Sequence, residues 1–328
     1  MSVNEENTTD VETKRSSLKK YLVRAVKFLL AVTVIYFAGQ QLVSNWAEVS
    51  GYQWTLDPPM LALSVVLHLL TFALFSKVWC LLIRAFGFDV PLRHGFKIAY
   101  IANLGRYIPG KFWPVIGMIY LLKKIRIDME TAFASWGVAT LLGLPPAFLV
   151  GFITFYFFPD MLSGIWGDNL GVGPLLAVIA TFGASGFLVF APDRTMALFN
   201  WVIGLLRRPP VQFKLSRKTA MQVYGGYFVC WVCYGLAFYT FVNGVMAEPG
   251  IPLAAGIGAF VTAYLIGYLF VFSPGGLGAR EWVLIAVLTP FLGPIASGLA
   301  VAARIWNLVV ELIAFAIALA IKLDSRKD

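Results

Sequence analysis

NLGRYIPGKFWP, residues 103–114, sets Arg106 and Lys111 around a Pro109-Gly110 break in a chain that is 59% hydrophobic and only 13% charged. FSPGGLGARE, residues 272–281, repeats the combination, with Pro274-Gly275-Gly276 followed by Arg280 and Glu281. Charge and helix breakers are both costly at membrane depth. What surrounds these two stretches therefore decides how the chain folds.

The surroundings are apolar runs: Phe28–Val43, Pro59–Ile83, Ala132–Phe158, Gly173–Ala191, Val223–Val245 and Ile295–Leu323. Several reach the length of about 20 residues that crosses a bilayer core. Helices and closed barrels alone satisfy their backbone in lipid, and a barrel would show alternating segments of about ten residues, which are absent from this sequence. The expectation is one all-α polytopic membrane domain over residues 19–328, preceded by a polar, disordered tail at 1–18. Small residues of a cleavage site do not follow the first apolar run, which exits through Gln40, Gln41 and Asn45, so the first helix is read as a retained anchor.

Charge sets the expected topology. Of the 26 Lys and Arg, 21 fall before the first helix, at 84–97, at 123–126, at 194–218 and at the C-terminus. Segments 44–57, 159–171 and 246–252 hold none, and carry Glu48, Asp57, Asp160, Asp168 and Glu248 instead. The positive-inside rule places both termini and the basic loops in the cytoplasm, with the acidic segments outside. The net charge of +9 then reads as an orientation signal in the cell membrane, with some attraction to anionic lipid, and no nucleic-acid partner is expected.

The first stretch has basic loops on both sides, so it enters and leaves on one face. Ile98–Gly105 and Phe112–Leu122 are each too short to span at about 1.5 Å per residue. A re-entrant hairpin broken at Gly105, Pro109 and Gly110 fits. The second stretch follows an acidic segment and precedes a last helix that must run inward. Leu253–Phe272 is long enough to cross alone, but Trp282–Phe291 is not, so a deep re-entrant pair broken at Pro274, Gly275 and Gly276 is expected. The order becomes two helices, hairpin, helix, then the same again in the opposite sense. That gives about six spanning helices plus two re-entrant helical hairpins in an inverted repeat, with halves of about 19–171 and 172–322. Paired interrupted segments in such halves point to a midplane substrate site. Between the halves the residue-level likeness is slight, little more than a Tyr about ten residues before each Pro-Gly.

LGRYIPGKFWP followed by a basic turn, then SPGGLGARE about 165 residues later, resemble the two signature regions of the lysylphosphatidylglycerol synthase transmembrane-region family. The resemblance covers residues 20–322. That family includes stand-alone membrane proteins and the lipid-flipping half of the multiple peptide resistance factor. The resemblance implies lipid translocation or lipid-linked transport. It does not carry over the synthase activity of fused members, because no soluble aminoacyl-transferase domain is seen after the last helix.

Besides Arg106, Lys111, Arg280 and Glu281, the last helix carries Arg304 and Glu311. Ser297, Arg304, Asn307 and Glu311 are spaced 7, 3 and 4 apart, along one helix face. Four cations against two carboxylates, beside broken helix ends, suit an anionic phosphate headgroup. The expected substrate-binding set is Arg106, Lys111, Arg280, Glu281, Arg304, Asn307 and Glu311. The structural alternative has Arg280–Glu281 and Arg304–Glu311 cross-pairing to hold helices together, while Arg106 and Lys111 snorkel to the surface. Cys230 and Cys233 form a CxxC inside an apolar helix, where cysteine packs as a small hydrophobe. With only His68 and His94, no zinc pattern is expected, and GGLGAR at 275–280 lacks both the spacing and the βαβ setting of a dinucleotide site. No metal or cofactor is expected. Segment 194–208 reads as a helix lying on the inner leaflet.

Three function classes follow. A flippase or lipid-linked transporter for an anionic lipid leads. An intramembrane enzyme acting on a lipid headgroup, with Glu281, Glu311 or His68 as acid or base, lacks a nucleophile–base pair. The third is an accessory subunit serving a separate lipid-modifying enzyme.

Overall fold

The computed structural model describes residues 40, 43–107, 112–162, 173–205, 210, 215–270 and 274–323. Among them every regular element is helical. The tail 1–18, nearly all of the expected first helix, and Pro109, Gly110 and Lys111 lie outside the described residues.

Among the described residues four helices are long and apolar enough to cross a membrane: α2 (Pro58–Ala85), α5 (Met129–Phe157), α8 (Arg217–Val245) and α11 (Ile295–Ala320). Three of them begin behind a capping side chain. Asp57 accepts from the Met60 amide ahead of Pro58-Pro59, Asp128 from that of Thr131, and Ser216 from that of Thr219. Each side chain satisfies a backbone donor that the first turn leaves orphaned. Asp128 precedes the candidate span Met129–Phe157. Burial works to raise its pKa, but hydrogen bonds from the Thr131 amide and hydroxyl prevail and hold it below the usual carboxylate value. In α5, Pro145 and Pro146 remove two backbone donors mid-helix, and beside them Trp231 Nε1 of α8 donates to the Gly143 carbonyl at 2.8 Å.

The expected outside segment 44–57 contains a short helix, α1 (Trp46–Gly51), and Trp54 Nε1 donates to Val49 O at 3.0 Å, tying the segment to itself. The run from Gly173 is interrupted. α6 (Gly173–Phe190) and α7 (Pro192–Leu205) meet at a bend of 103°. Pro192 accounts for the break, since proline cannot continue the hydrogen-bond ladder. α7 covers most of the expected surface helix, and residues 206–208 lie outside the described residues.

Two helical hairpins complete the fold. The first pairs α3 (Leu92–Asn103), with a 3₁₀ turn at Leu104–Tyr107, against α4 (Trp113–Lys123). A Cβ on Gly105 would lie 2.7 Å from the Trp113 carbonyl carbon, so only glycine lets the legs close there. The second pairs α9 (Leu253–Leu269) with α10 (Ala279–Leu292) around a 3₁₀ turn at Pro274–Gly276. Gly276 has φ 71°, and a Cβ there would meet the Gly267 carbonyl oxygen at 2.9 Å. One expectation is corrected here. The first leg stops at Leu269, not Phe272, and its 17 residues reach about 25 Å, short of a core of about 30 Å.

The hairpins meet. The Gly275 backbone lies against the Tyr107 ring, close enough that a Cβ would sit 3.0 Å from it. α11 packs on α10 and on α3, so the last helix touches both hairpins. Around this junction α8, α9 and α11 form an aromatic core, with Phe238 stacked on Phe260 at 4.4 Å and Phe241 on Trp306 at 4.9 Å.

Candidate functional site

Charge collects where the two hairpin turns meet α11. Arg106, at the end of the first turn, forms an ion pair with Glu311 through Nη2 and Oε1, and their side chains are only 18% and 8% exposed. Arg106 also donates to Tyr107 Oη at 3.2 Å and Tyr264 Oη at 3.4 Å. Tyr107 in turn donates to Glu311 Oε2. Asn307, one helical turn before Glu311, donates its amide to Glu311 Oε1. Neighbours at i and i+4 share a face, so this amide is well placed to hold the carboxylate.

On the other side of Asn307 stands Arg280. Its Nη2 donates to Asn307 Oδ1 at 3.4 Å, and Tyr234 Oη donates to the same oxygen at 3.1 Å. The Arg280 guanidinium lies over the Phe260 ring at 4.6 Å and the Tyr264 ring at 5.2 Å, cation–π contacts that offset part of its desolvation. Among the described residues no carboxylate lies within ion-pair distance of Arg280. The third arginine, Arg304, pairs with Glu281 at 3.4 Å and donates to the Gly275 carbonyl at 3.4 Å. Glu281 Oε2 accepts from the Gly278 amide at 2.6 Å, capping the start of α10.

The structural alternative is thus met in part and corrected in part. Arg304 does reach Glu281, joining α11 to the second hairpin. Glu311, however, is taken by Arg106 and not by Arg304, because the hairpin turns approach different levels of α11. Arg106 does not snorkel to the surface; it is held inside by Glu311 and two tyrosines. Of the expected set, Arg106, Arg280, Glu281, Arg304, Asn307 and Glu311 come together. Lys111 lies outside the described residues. Ser297 shares the helix face but sits two turns below Arg304, where its hydroxyl donates to Pro294 O at 2.8 Å.

A cavity of about 300 Å³ opens beside Arg106. Trp79, Trp136, Trp231, Tyr234 and Tyr264 are among its walls, and Arg106 is its one charged lining residue among those described. Its walls come from α2, both legs of the first hairpin, α5 and α8, with Tyr264 and Tyr268 contributed by α9. Sequence reasoning missed most of this aromatic shell. Tyr107 adjoins Arg106 in the opening motif. Tyr100 and Tyr264 are the tyrosines that precede each Pro-Gly, and both line the cavity.

The remaining sequence candidates have plain roles. His68 is fully buried among Phe72, Tyr234 and Trp306, and packs as an aromatic ring. Cys230 and Cys233 are free thiols. Among the described residues no group of three or more His, Cys, Asp or Glu could hold a metal ion.

Residues 24–320 match the family described as the lysylphosphatidylglycerol synthase TM region. A protein of Methanothermobacter thermautotrophicus described as a UPF0104 membrane protein is 23% identical over 291 residues, covering 78% of this chain and 83% of its own length.

Proposed function

This chain belongs to the lysylphosphatidylglycerol synthase transmembrane-region family, and from that premise we propose that it moves an anionic phospholipid between the leaflets of the cell membrane. The observation that carries the reading is the meeting of both hairpin turns with α11 around the buried Arg280 and the partly buried Arg106 and Arg304, of which Arg106 reaches into an aromatic cavity. Ionisable side chains cost about 2.5–3.5 kcal/mol each at membrane depth, so such a cluster implies a task or a partner. Guanidinium groups present forked donors that match the oxygens of a phosphate. The cavity is at the small end for ligand sites, which suits a headgroup while the acyl chains stay in lipid.

The reading extends to topology. Both hairpins are re-entrant and related by an inverted repeat, with both termini in the cytoplasm, as the distribution of Lys and Arg supports. Arg106, Lys111, Arg280 and Arg304 are the cations offered to the headgroup, Arg106 being the one that lines the cavity, while Glu281 and Glu311 neutralise the empty site and Asn307 orients Glu311. Transport is favoured over chemistry on the lipid, since the hydroxyl beside a carboxylate in the described cluster is that of Tyr107, and its partner Glu311 is already engaged by Arg106.

The test is transbilayer movement of fluorescent phosphatidylglycerol in vesicles holding the purified protein. Movement well above protein-free vesicles is expected, with lipid composition unchanged. Its replacement by a modified lipid would favour an enzyme. Activity only with a second protein present would favour an accessory subunit.

A further inference from the structure

Two arginines from different hairpins stand on either side of one amide, and among the described residues only one of them has a carboxylate. Asn307 directs its NH₂ to Glu311, which pairs with Arg106 of the first hairpin, and its oxygen to Arg280 of the second. Resting on the reading above and deepening it, we propose that Glu311 is shared between the two hairpins. It is handed from Arg106 to Arg280 when an anionic headgroup takes Arg106, and handed back when the headgroup leaves.

The physical reason is electrostatic. A phosphate entering the cavity meets Arg106 already engaged, so it binds by displacing the carboxylate. A carboxylate so released cannot stay unpaired at this depth. Glu311 faces Arg106 and Tyr107 from the first hairpin and Asn307 on its own helix. Across the Asn307 amide the next cation is Arg280, which is 6% exposed and held only by that amide and two aromatic faces. Arg304 is already paired with Glu281. The exchange proceeds by rotation of the Glu311 side chain past Asn307, whose two amide atoms already engage Glu311 and Arg280. The consequence is exclusion: while Glu311 holds one hairpin's arginine, only the other is free to bind an anion. Such a bias makes two binding states alternate, as movement across a membrane requires. Glu311 and Asn307 are then positioning residues for the lipid, alongside the arginines that touch it.

The test separates binding from movement in the full-length protein. Binding of dihexanoylphosphatidylglycerol is followed by tryptophan fluorescence in detergent, and movement of fluorescent phosphatidylglycerol in reconstituted vesicles. Glu311→Gln removes the internal competitor, so binding should tighten about tenfold while movement falls about tenfold or more. Arg280→Gln leaves Glu311 without its second partner, so binding should weaken by a similar factor, and adding Glu311→Gln should restore it. Asn307→Leu leaves every charge in place and serves where the charge variants do not fold; movement should drop with binding changed less than about twofold. A purely structural role would lower binding and movement together, which overturns the proposal. So does a wild-type rate that scales with an imposed proton gradient, since Glu311 would then be neutralised by a proton. Wild-type protein that neither binds nor moves the lipid overturns the headgroup reading itself. Wild-type movement with unaltered binding in Glu311→Gln overturns the hand-over alone.

Discussion

The two hairpins share a break made of glycine and proline, yet they use their charges differently. The first brings Arg106 into the cavity and relies on α11 for its counter-charge. It is also fastened to that helix at the far end, where Lys97 Nζ donates to the last carbonyls, at 3.5 Å to Leu319 O and also to Ile321 O. The second hairpin brings an adjacent arginine and glutamate. Its Glu281 caps its own helix and pairs with Arg304, while its Arg280 rests on aromatic faces. The first hairpin thus takes its counter-charge from α11, whereas the second brings both signs and gives its carboxylate to Arg304 of α11. A broken helix in a membrane has two needs, to satisfy the freed backbone and to neutralise charge, and here the needs are divided unequally.

The sharpest test of that inequality is the Arg106–Glu311 pair. Arg106→Leu should destabilise the protein by about 3 kcal/mol, the low end for a broken buried pair, because Glu311 loses its partner in the first hairpin and Arg280, across the Asn307 amide, replaces it only in part. The double variant Arg106→Leu/Glu311→Leu should recover most of the loss. Denaturant unfolding in mild detergent reads both, and equal stability of the single and double variants would place the first hairpin's support elsewhere.

In the second hairpin, Glu281→Gln should cost less, about 2 kcal/mol, since it weakens one charged cap and one ion pair of 3.4 Å that has Gly275 O as a substitute acceptor. A loss as large as that of Arg106→Leu would erase the difference between the hairpins.

Backbone substitutions come next. Gly276→Ala imposes a side chain on a left-handed residue, a cost of about 1–2 kcal/mol before the clash with Gly267. Gly105 carries no such dihedral penalty, so Gly105→Ala should act by pushing the first hairpin's legs apart, read as easier proteolysis between α3 and α4. Normal protease resistance in Gly105→Ala would mean that the legs can shift without loss.

The smallest effect lies outside both hairpins and sets the reference level. Asp128→Ala should cost about 1 kcal/mol through the lost cap of α5. Because its pKa is lowered in the folded protein, its contribution is present above the unfolded value and lost as pH falls through the folded one. The difference between wild type and Asp128→Ala should therefore shrink on acidification, and a difference that grows would assign the shift to another group.

Helix class and the interruption of both hairpins were legible in the residues alone. The helix starts were not legible: the apolar runs begin at Pro59, Ala132 and Val223, whereas the helices begin up to six residues earlier behind Asp57, Asp128 and Ser216. The first turn is set by polar capping that an apolar pattern leaves out. Pro274-Gly275-Gly276 announces its turn because backbone strain is local. In the first hairpin the second leg matches its expected span, but the first begins at Leu92, six residues before Ile98, because Arg93 and Lys97 continue the helix and are not loop residues. The length of α9 was overestimated: an apolar sequence continues past Leu269, but the helix does not. Apolarity reports burial, not where the backbone stops.

The identity of each ion pair could not be read in this way. Helical spacing put Arg304, Asn307 and Glu311 on one face, and any of the arginines could have taken Glu311. The choice of Arg106 depends on how deep each hairpin turn reaches along α11, which is set by the close approach at Gly105, the Gly275–Tyr107 contact and the Phe260–Phe238 stack. The aromatic cavity is likewise assembled from six helices and visible in none of them. Local patterns record what each segment must satisfy by itself, namely its backbone bonds and its solvent. Coulomb pairing and enclosed volume depend on distances between segments, and only their packing determines those.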